Sequence, residues 1–339
     1  MSQKYSFNLR WLGVAIVGML VGCPNADAGP EDLPKSFKNA EAKVRFAKGV
    51  ELSNQSEWNA AILEFNRSLA LEPDHAAVLV ELGISLGQLG RWEASARTLR
   101  KALLLAPDSA RAHYNLGVSL DRAEPHTGAG RTEYEKALEL DPNDVGSLVN
   151  LATSLGKRDT DQARELLEKA LALSPQTANV HFNLGLHDER AGNIEKALQS
   201  FRNAIRLDPD HLEARRRLLS NLMAVQRLDE AIEQCREMIK RNPDEWEGRY
   251  TLARLLRRKG KREEANKELE TVQRLQRSEK ALKETENLTR RGVTDLVAGR
   301  IDSAVKNLKA AVESDSQSIE ARMHLGMALA AREEFRDAV

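Results

Sequence analysis

The chain has 339 residues with 51 basic and 51 acidic side chains, so its formal net charge is zero. A neutral chain lacks the positive surplus typical of nucleic-acid binders, so we expect no nucleic-acid partner. Aromatic residues make up 4% of the chain, which argues against a β-sandwich or barrel, and two cysteines are too few for a disulfide scaffold or a four-cysteine metal site.

The first 28 residues have the pattern of an export signal. Lys4 and Arg10 precede an apolar run, residues 11–22, which is too short to cross a bilayer. The run ends in the letters LVGC, which resemble the bacterial lipobox, so we expect acylation at Cys23. An A-x-A pattern ending at Ala28 offers the alternative of a cleaved, soluble product. We therefore predict a membrane-anchored lipoprotein facing the periplasm, or a soluble periplasmic or secreted protein.

Beyond the signal, prolines mark the organisation of the chain. Residues 29–41 are predicted to be a tether, because the segment Pro24–Pro34 is rich in Pro, Gly, Asp and Asn. Six later prolines are separated by 33 to 35 residues: Pro73, Pro107, Pro142, Pro175, Pro209 and Pro243. Such a period indicates an internal repeat.

Each interval between these prolines has the same layout. A Leu-Gly pair, as at Gly83, is followed later by a small residue and, four positions on, by a bulky one, as at Ala197 and Phe201. This pattern resembles the tetratricopeptide repeat (TPR) over nearly all of residues 42–339. The resemblance implies an all-α, right-handed α-solenoid of helix–turn–helix units, which we call helix A and helix B of each repeat.

The positions at which the repeat pattern begins again define the predicted domains. Residues 42–279 contain repeats one to seven, and residues 280–339 contain repeat eight and a truncated repeat nine. A long charged helix, Lys261–Arg290, is predicted to join the two parts, because it contains neither Gly nor Pro. Repeat nine is expected to stop about one turn into its helix B.

No catalytic motif interrupts the repeats, and we expect a protein that is not an enzyme, without metal or cofactor. The histidines are spread through the repeats instead of lying at the spacing of a metal site. Cys235 occupies the bulky position of its repeat and is predicted to be a buried, inert thiol.

The TPR resemblance also implies a concave groove, lined by the A helices, that holds peptide segments of partner proteins. The residue before the Leu-Gly pair or its variant is asparagine in three successive repeats, and its amide can both donate to and accept from a peptide backbone. Two aromatic residues at the preceding position are expected to add apolar contacts. These candidate groove residues are Asn115, Asn150, Asn183, Tyr114 and Phe182.

Groove positions at similar distances from the Leu-Gly pair or its variant in the later repeats form a mainly basic set: Arg216, Arg217, Tyr250, Arg254, Arg257 and Arg258. Residues 211–262 contain 14 basic and 8 acidic side chains. Arginines bind carboxylate and phosphate groups bidentately, so acidic or C-terminal peptide segments are the expected ligands. The alternative is a solvated helix face balanced by Glu213, Glu237 and Glu247.

Together these patterns predict a non-catalytic interaction scaffold or adaptor of the bacterial cell envelope. The alternative is a substrate-recognition module of a larger enzyme or assembly whose catalytic part is absent from this chain. The export signal argues against a third possibility, an intracellular co-chaperone. The last predicted helix has no partner helix, so it is a candidate site of oligomerisation.

Overall fold

The computed structural model describes residues 37–125, 127–156 and 160–337. Within these ranges the chain forms α-helices and no strand, which confirms the predicted all-α solenoid. The signal segment, with Cys23, and residues 157–159 lie outside them. The helices are α1 (Ala40–Asn54), α2 (Trp58–Leu71), α3 (Ala76–Gln88), α4 (Trp92–Leu105), α5 (Ala110–Ala123), α6 (Arg131–Leu140), α7 (Val145–Leu155), α8 (Thr160–Leu173), α9 (Ala178–Arg190), α10 (Ile194–Leu207), α11 (Leu212–Ala224), α12 (Leu228–Arg241), α13 (Trp246–Arg258), α14 (Arg262–Val297), α15 (Ile301–Ser314) and α16 (Ile319–Asp337).

The helices alternate between the A and B positions of the predicted repeats. From α1 to α13 the odd-numbered helices are A helices, and the even-numbered ones are B helices. From α1 to α10 and from α12 to α16, the helices pack mainly against their neighbours in the chain, as expected when stacked repeats bury the face that no single repeat can bury alone. The contacts group the chain into two compact units, the first ending at Asn221 and the second beginning at Leu222.

Within a repeat, helices A and B come closest at the predicted glycine. A Cβ atom added at Gly83 would lie 2.6 Å from Cγ of Leu99, and one at Gly185 would lie 2.5 Å from the ring of Phe201. Leu99 and Phe201 are fully buried. The small and large residues of the pattern therefore set the distance between the two helices.

The A helices end at the predicted left-handed positions. Gly90, Gly192 and Gly260 have φ values of 71°, 78° and 76°. The equivalent residues of the first and sixth repeats are Ser56 and Gln226, which adopt φ values of 61° and 62° without the freedom of glycine. The turn geometry is thus kept where the glycine is missing.

The inter-helix turn of the third repeat, between Ala123 and Arg131, contains Pro125 and is lengthened. Helix α6 has 10 residues, whereas α4 and α8 have 14 each. Asp121 fixes the turn, because its carboxylate accepts the Gly130 N–H at 2.8 Å and the Tyr134 hydroxyl at 3.0 Å.

Three boundaries differ from those predicted. Phe37, inside the predicted tether, stacks on His75 with ring centroids 3.8 Å apart and packs with the first repeat. The boundary between residues 279 and 280 falls inside α14. This helix continues past Arg290 to Val297 and combines helix B of repeat seven with helix A of repeat eight. Helix α16 runs unbroken to Asp337, so the predicted turn of repeat nine is absent from its described part.

Candidate functional site

The three predicted groove asparagines have different surroundings. Nδ2 of Asn115 donates to the Arg111 carbonyl at 2.8 Å, within its own helix. Asn183 is 3% exposed; its Nδ2 donates to the Asn179 carbonyl at 2.8 Å, and its Oδ1 accepts from Thr153 Oγ1 at 3.2 Å. Asn183 therefore holds α7 and α9 together, which differs from the predicted peptide contact.

Asn150 differs from Asn115 and Asn183 because, within the described ranges, its side-chain amide is not used in a hydrogen bond. Within the described chain its side chain makes no hydrogen bond, and it lines a shallow depression between α7 and α9. The other lining residues are Val145, Gly146, Val149, Thr177, Asn179 and Val180. The structure thus leaves the amide of Asn150 without a hydrogen bond in the described chain, next to the apolar side chains of Val145, Val149 and Val180.

The two candidate aromatic residues pack inside the first unit. Phe182 is 2% exposed, and its ring centroid lies 6.0 Å from that of Phe201 and 4.8 Å from that of His211. The prediction that Phe182 contacts a peptide is therefore wrong for this conformation, because the ring belongs to the core. Tyr114 is half-buried and covers Gly146, where an added Cβ would lie 2.8 Å from the Tyr114 ring.

The basic candidates divide between the two units. In the first unit, Arg217 lies 3.3 Å from a carboxylate oxygen of Glu213 and 3.6 Å from one of Glu189. Its charge is balanced, as the alternative interpretation of the sequence anticipated for this helix. Arg216, on the same helix, is exposed.

In the second unit, α13 carries the remaining candidates on one exposed face. Tyr250 is 44% exposed, and Arg254 and Arg258 follow it at intervals of four residues. We call these three residues the α13 row. No carboxylate of the described chain forms an ion pair with Arg254 or Arg258. Arg257 is exposed and donates to Asn266 Oδ1 at 3.4 Å.

Carboxylates do hold the neighbouring cations. Arg249 pairs with Glu268 at 3.0 Å, and Lys259 pairs with Asp229. The α13 row is therefore a local surplus of positive charge and not part of an ion-pair network.

The histidines have structural contacts. Nε2 of His113 lies 2.9 Å from the Pro107 carbonyl and Nδ1 lies 2.6 Å from Glu133. Nε2 of His181 lies 3.0 Å from the carbonyl of Pro175, the same contact two repeats later. In both repeats, the carbonyl of the proline that ends the preceding repeat thus contacts the side chain six residues later. This contact was not predicted, although the six-residue spacing is visible in the sequence.

No metal or thiol chemistry is evident in the described ranges. They contain no cluster of three or more His, Cys, Asp or Glu side chains that could hold a metal ion. Cys235 is fully buried, and burial raises the pKa of its thiol to about 12, in agreement with the predicted inert cysteine. None of the described helices combines the length and the apolar character that a membrane span requires.

The last helix exposes an apolar row. Ile319, Met323 and Met327 follow one another at intervals of four residues on α16 and are 76%, 50% and 51% exposed. Oligomerisation through this helix stays a prediction.

Two family models match the chain. The tetratricopeptide repeat model matches residues 80–145 and 154–211, and a model named TT21 fifth ARM repeats domain matches residues 213–325. The mitochondrial import receptor subunit TOM70 of Homo sapiens is 29% identical over 82 residues, which are 24% of this chain and 14% of the receptor. The match thus spans about a seventh of that relative, and the Rattus norvegicus receptor matches to the same extent.

Solved structures share the fold. PilW, described as a widely conserved type IV pilus biogenesis factor, superposes with a TM-score of 0.56 at 18% identity, over 64% of this chain and 99% of PilW. PilF of Pseudomonas aeruginosa gives 0.50 at 24% identity, over 59% of this chain and 91% of PilF. A tetratricopeptide repeat protein of Parabacteroides merdae gives 0.52 at 10% identity, over 86% of this chain and 100% of that protein. At these identities the likeness concerns the fold alone.

Proposed function

We infer that this chain, a member of the tetratricopeptide repeat family whose model matches residues 80–145 and 154–211, is a scaffold for protein–protein interactions. From that premise we propose that it is a non-catalytic adaptor of the bacterial cell envelope. In this proposal, exposed faces of its A helices hold segments of partner proteins, and the preferred segments are acidic.

The α13 row carries the proposal. Its two guanidinium groups have no carboxylate partner in the described chain, and each can bind a carboxylate through two parallel N–H···O bonds. Tyr250 adds an exposed ring with a hydroxyl group next to these charges. An extended acidic segment would supply the missing negative charge, and a C-terminal carboxylate would add one more acceptor.

A peptide-binding measurement tests whether the α13 row binds acidic segments. Fluorescence anisotropy with the full chain would compare an acidic peptide with its C-terminal amide and with a version in which Gln replaces each acid. The double variant Arg254→Ala/Arg258→Ala should bind the acidic peptide about tenfold more weakly or worse, because it loses charge-assisted hydrogen bonds. Binding by the unaltered chain should weaken as salt is raised.

The matched control is Arg274→Ala/Arg277→Ala, which removes the same charge from exposed positions of α14. We expect this control to bind as the unaltered chain does. Affinity that responds neither to salt nor to the α13 substitutions would contradict the proposed acidic ligand.

The unused amide of Asn150 supports a second contact with a peptide backbone. The substitution Asn150→Ala should weaken peptide binding to a similar extent for acidic and neutral sequences, because an amide reads the backbone and not the charge. A selective loss for the acidic peptide would argue against this role.

The envelope location rests on the N-terminal pattern around Cys23. Cells grown with radiolabelled palmitate should give a labelled protein, and Cys23→Ala should abolish the label. An unlabelled product beginning at Gly29 would replace the lipid anchor by the soluble alternative.

A further inference from the structure

The outward face of α4 combines three cations with an exposed leucine. Arg97, Arg100, Lys101 and Leu104 follow one another at intervals of three, one and three residues, which places them on one side of the helix. All four are exposed, and Leu104 is 85% exposed. The opposite side of α4 is buried in the core through Ser95, Ala96, Leu99 and Ala102.

These three cations have no carboxylate partner within the described chain. Other B helices of the same unit do supply one. On α2, Arg67 lies 2.7 Å from Glu64; on α6, Arg131 lies 2.9 Å from Glu135. Residues 91–105 contain four basic side chains and one acidic one, so the surplus on α4 is not cancelled along its own helix.

Leu104 is unusual for its position in the repeat, which is three residues before the junction proline. The equivalent residues of the other repeats are small or charged: Ala70, Glu139, Ala172, Arg206 and Lys240. An apolar side chain that is almost fully in water contributes nothing to the core, and a surface outside this fold that covered Leu104 would gain its burial.

We propose that the outward face of α4 binds an anionic lipid surface. The guanidinium and ammonium groups contact headgroup phosphates, and Leu104 enters the boundary between headgroups and acyl chains. We choose a lipid surface because this face combines cationic groups with an exposed apolar side chain. A nucleic acid would use the cations but would find no aromatic ring on this face for stacking, and it would leave Leu104 exposed.

Vesicle sedimentation of the full chain tests this proposal. Vesicles of phosphatidylcholine alone would be compared with vesicles that also contain phosphatidylglycerol. The triple variant Arg97→Gln/Arg100→Gln/Lys101→Gln should bind the anionic vesicles about tenfold more weakly or worse, because each basic side chain near such a surface favours binding. Both proteins carry Cys23→Ala in this comparison, so that no acyl chain on this residue holds them to either kind of vesicle.

A second triple variant, Arg274→Gln/Arg277→Gln/Lys280→Gln, removes the same charge from exposed positions of α14. We expect it to bind anionic vesicles like the unaltered chain. Equal binding by the α4 variant and the unaltered chain would overturn the proposal, and so would equal losses in both triple variants.

The substitution Leu104→Ser separates a lipid surface from an acidic protein. It should weaken binding to anionic vesicles several-fold while leaving the binding of a polyglutamate peptide unchanged. If Leu104→Ser has no effect on vesicles, or if polyglutamate competes fully with them, the face is an acidic-protein site and the lipid assignment is wrong.

Discussion

Gly185 and Gly326 occupy the same place in their repeats but have different surroundings. A Cβ at Gly185 would lie 2.5 Å from the buried ring of Phe201, whereas a Cβ at Gly326 would meet no atom of the described residues within 4 Å. We therefore expect Gly185→Ala to lower the free energy of unfolding by about 1–3 kcal/mol through overpacking. Gly326→Ala should raise it by about 0.5–1 kcal/mol, because alanine favours helix. Urea unfolding followed by circular dichroism measures both, and equal effects would refute the close approach at Gly185.

His211 gives the molecule a predicted sensitivity to acid. Burial lowers the pKa of this imidazole, whose Nδ1 accepts the Ala214 N–H at 3.2 Å, and burial likewise lowers the pKa of His75 and His187. Below about pH 6.5 the unfolded chain binds more protons than the folded chain, so stability falls as the pH falls.

The variant His211→Asn tests this sensitivity. Asparagine can cap α11 in the same way but does not titrate, so the melting temperature of the variant should drop less than that of the unaltered chain between pH 7.5 and pH 5.5. A drop of the same size in both proteins would show that His211 does not contribute.

At the scale of helices, an ion pair between neighbouring repeats and one within a single helix differ in burial. Arg164 of α8 lies 2.8 Å from Asp188 of α9, whose side chain is 4% exposed. Arg164→Ala leaves this carboxylate buried without its cation, so we expect a loss of about 1–3 kcal/mol in unfolding free energy. The control Arg131→Ala removes the partner of Glu135, which is 42% exposed, and should cost less than about 1 kcal/mol.

A double-mutant cycle isolates the pair. The variant Arg164→Ala/Asp188→Asn should regain part of the loss, because it no longer buries an unpaired charge, and the coupling energy should be about 0.5–3 kcal/mol. A coupling energy of zero would mean that Arg164 acts through packing alone.

The helices themselves were predictable because their pattern is local. Leu-Gly pairs, small and large residues four apart and glycines such as Gly90 all act within one repeat. The burial of Phe182 was not predictable, since His211 of the following repeat junction covers it. The pairing of Arg217 with Glu213 on its own helix was anticipated by the alternative interpretation, but its contact with Glu189 of a different helix was not predictable. Candidate site residues were therefore assigned to the correct helices, but their exposure depends on packing between repeats.

For the molecule as a whole, a net charge of zero hides an uneven distribution. Ion pairs cancel some cations where they stand, as Glu268 does for Arg249. The α13 row and the outward face of α4 each group cations that have no such partner within the described chain. Partner choice in a neutral chain thus depends on which cations its own carboxylates leave over, and composition cannot show this.

An array of stacked repeats can open locally, and the thiol of Cys235 can report on that opening. It is fully buried, and its pKa of about 12 keeps it protonated at pH 8, so both access and reactivity require α12 to separate from its neighbours. In a Cys23→Ala background we expect an aromatic disulfide reagent to label Cys235 slowly, at a rate that rises with urea. A thiol introduced by Ser278→Cys, at an exposed position of α14, should react at once. Immediate labelling of Cys235 without urea would contradict a closed core around α12.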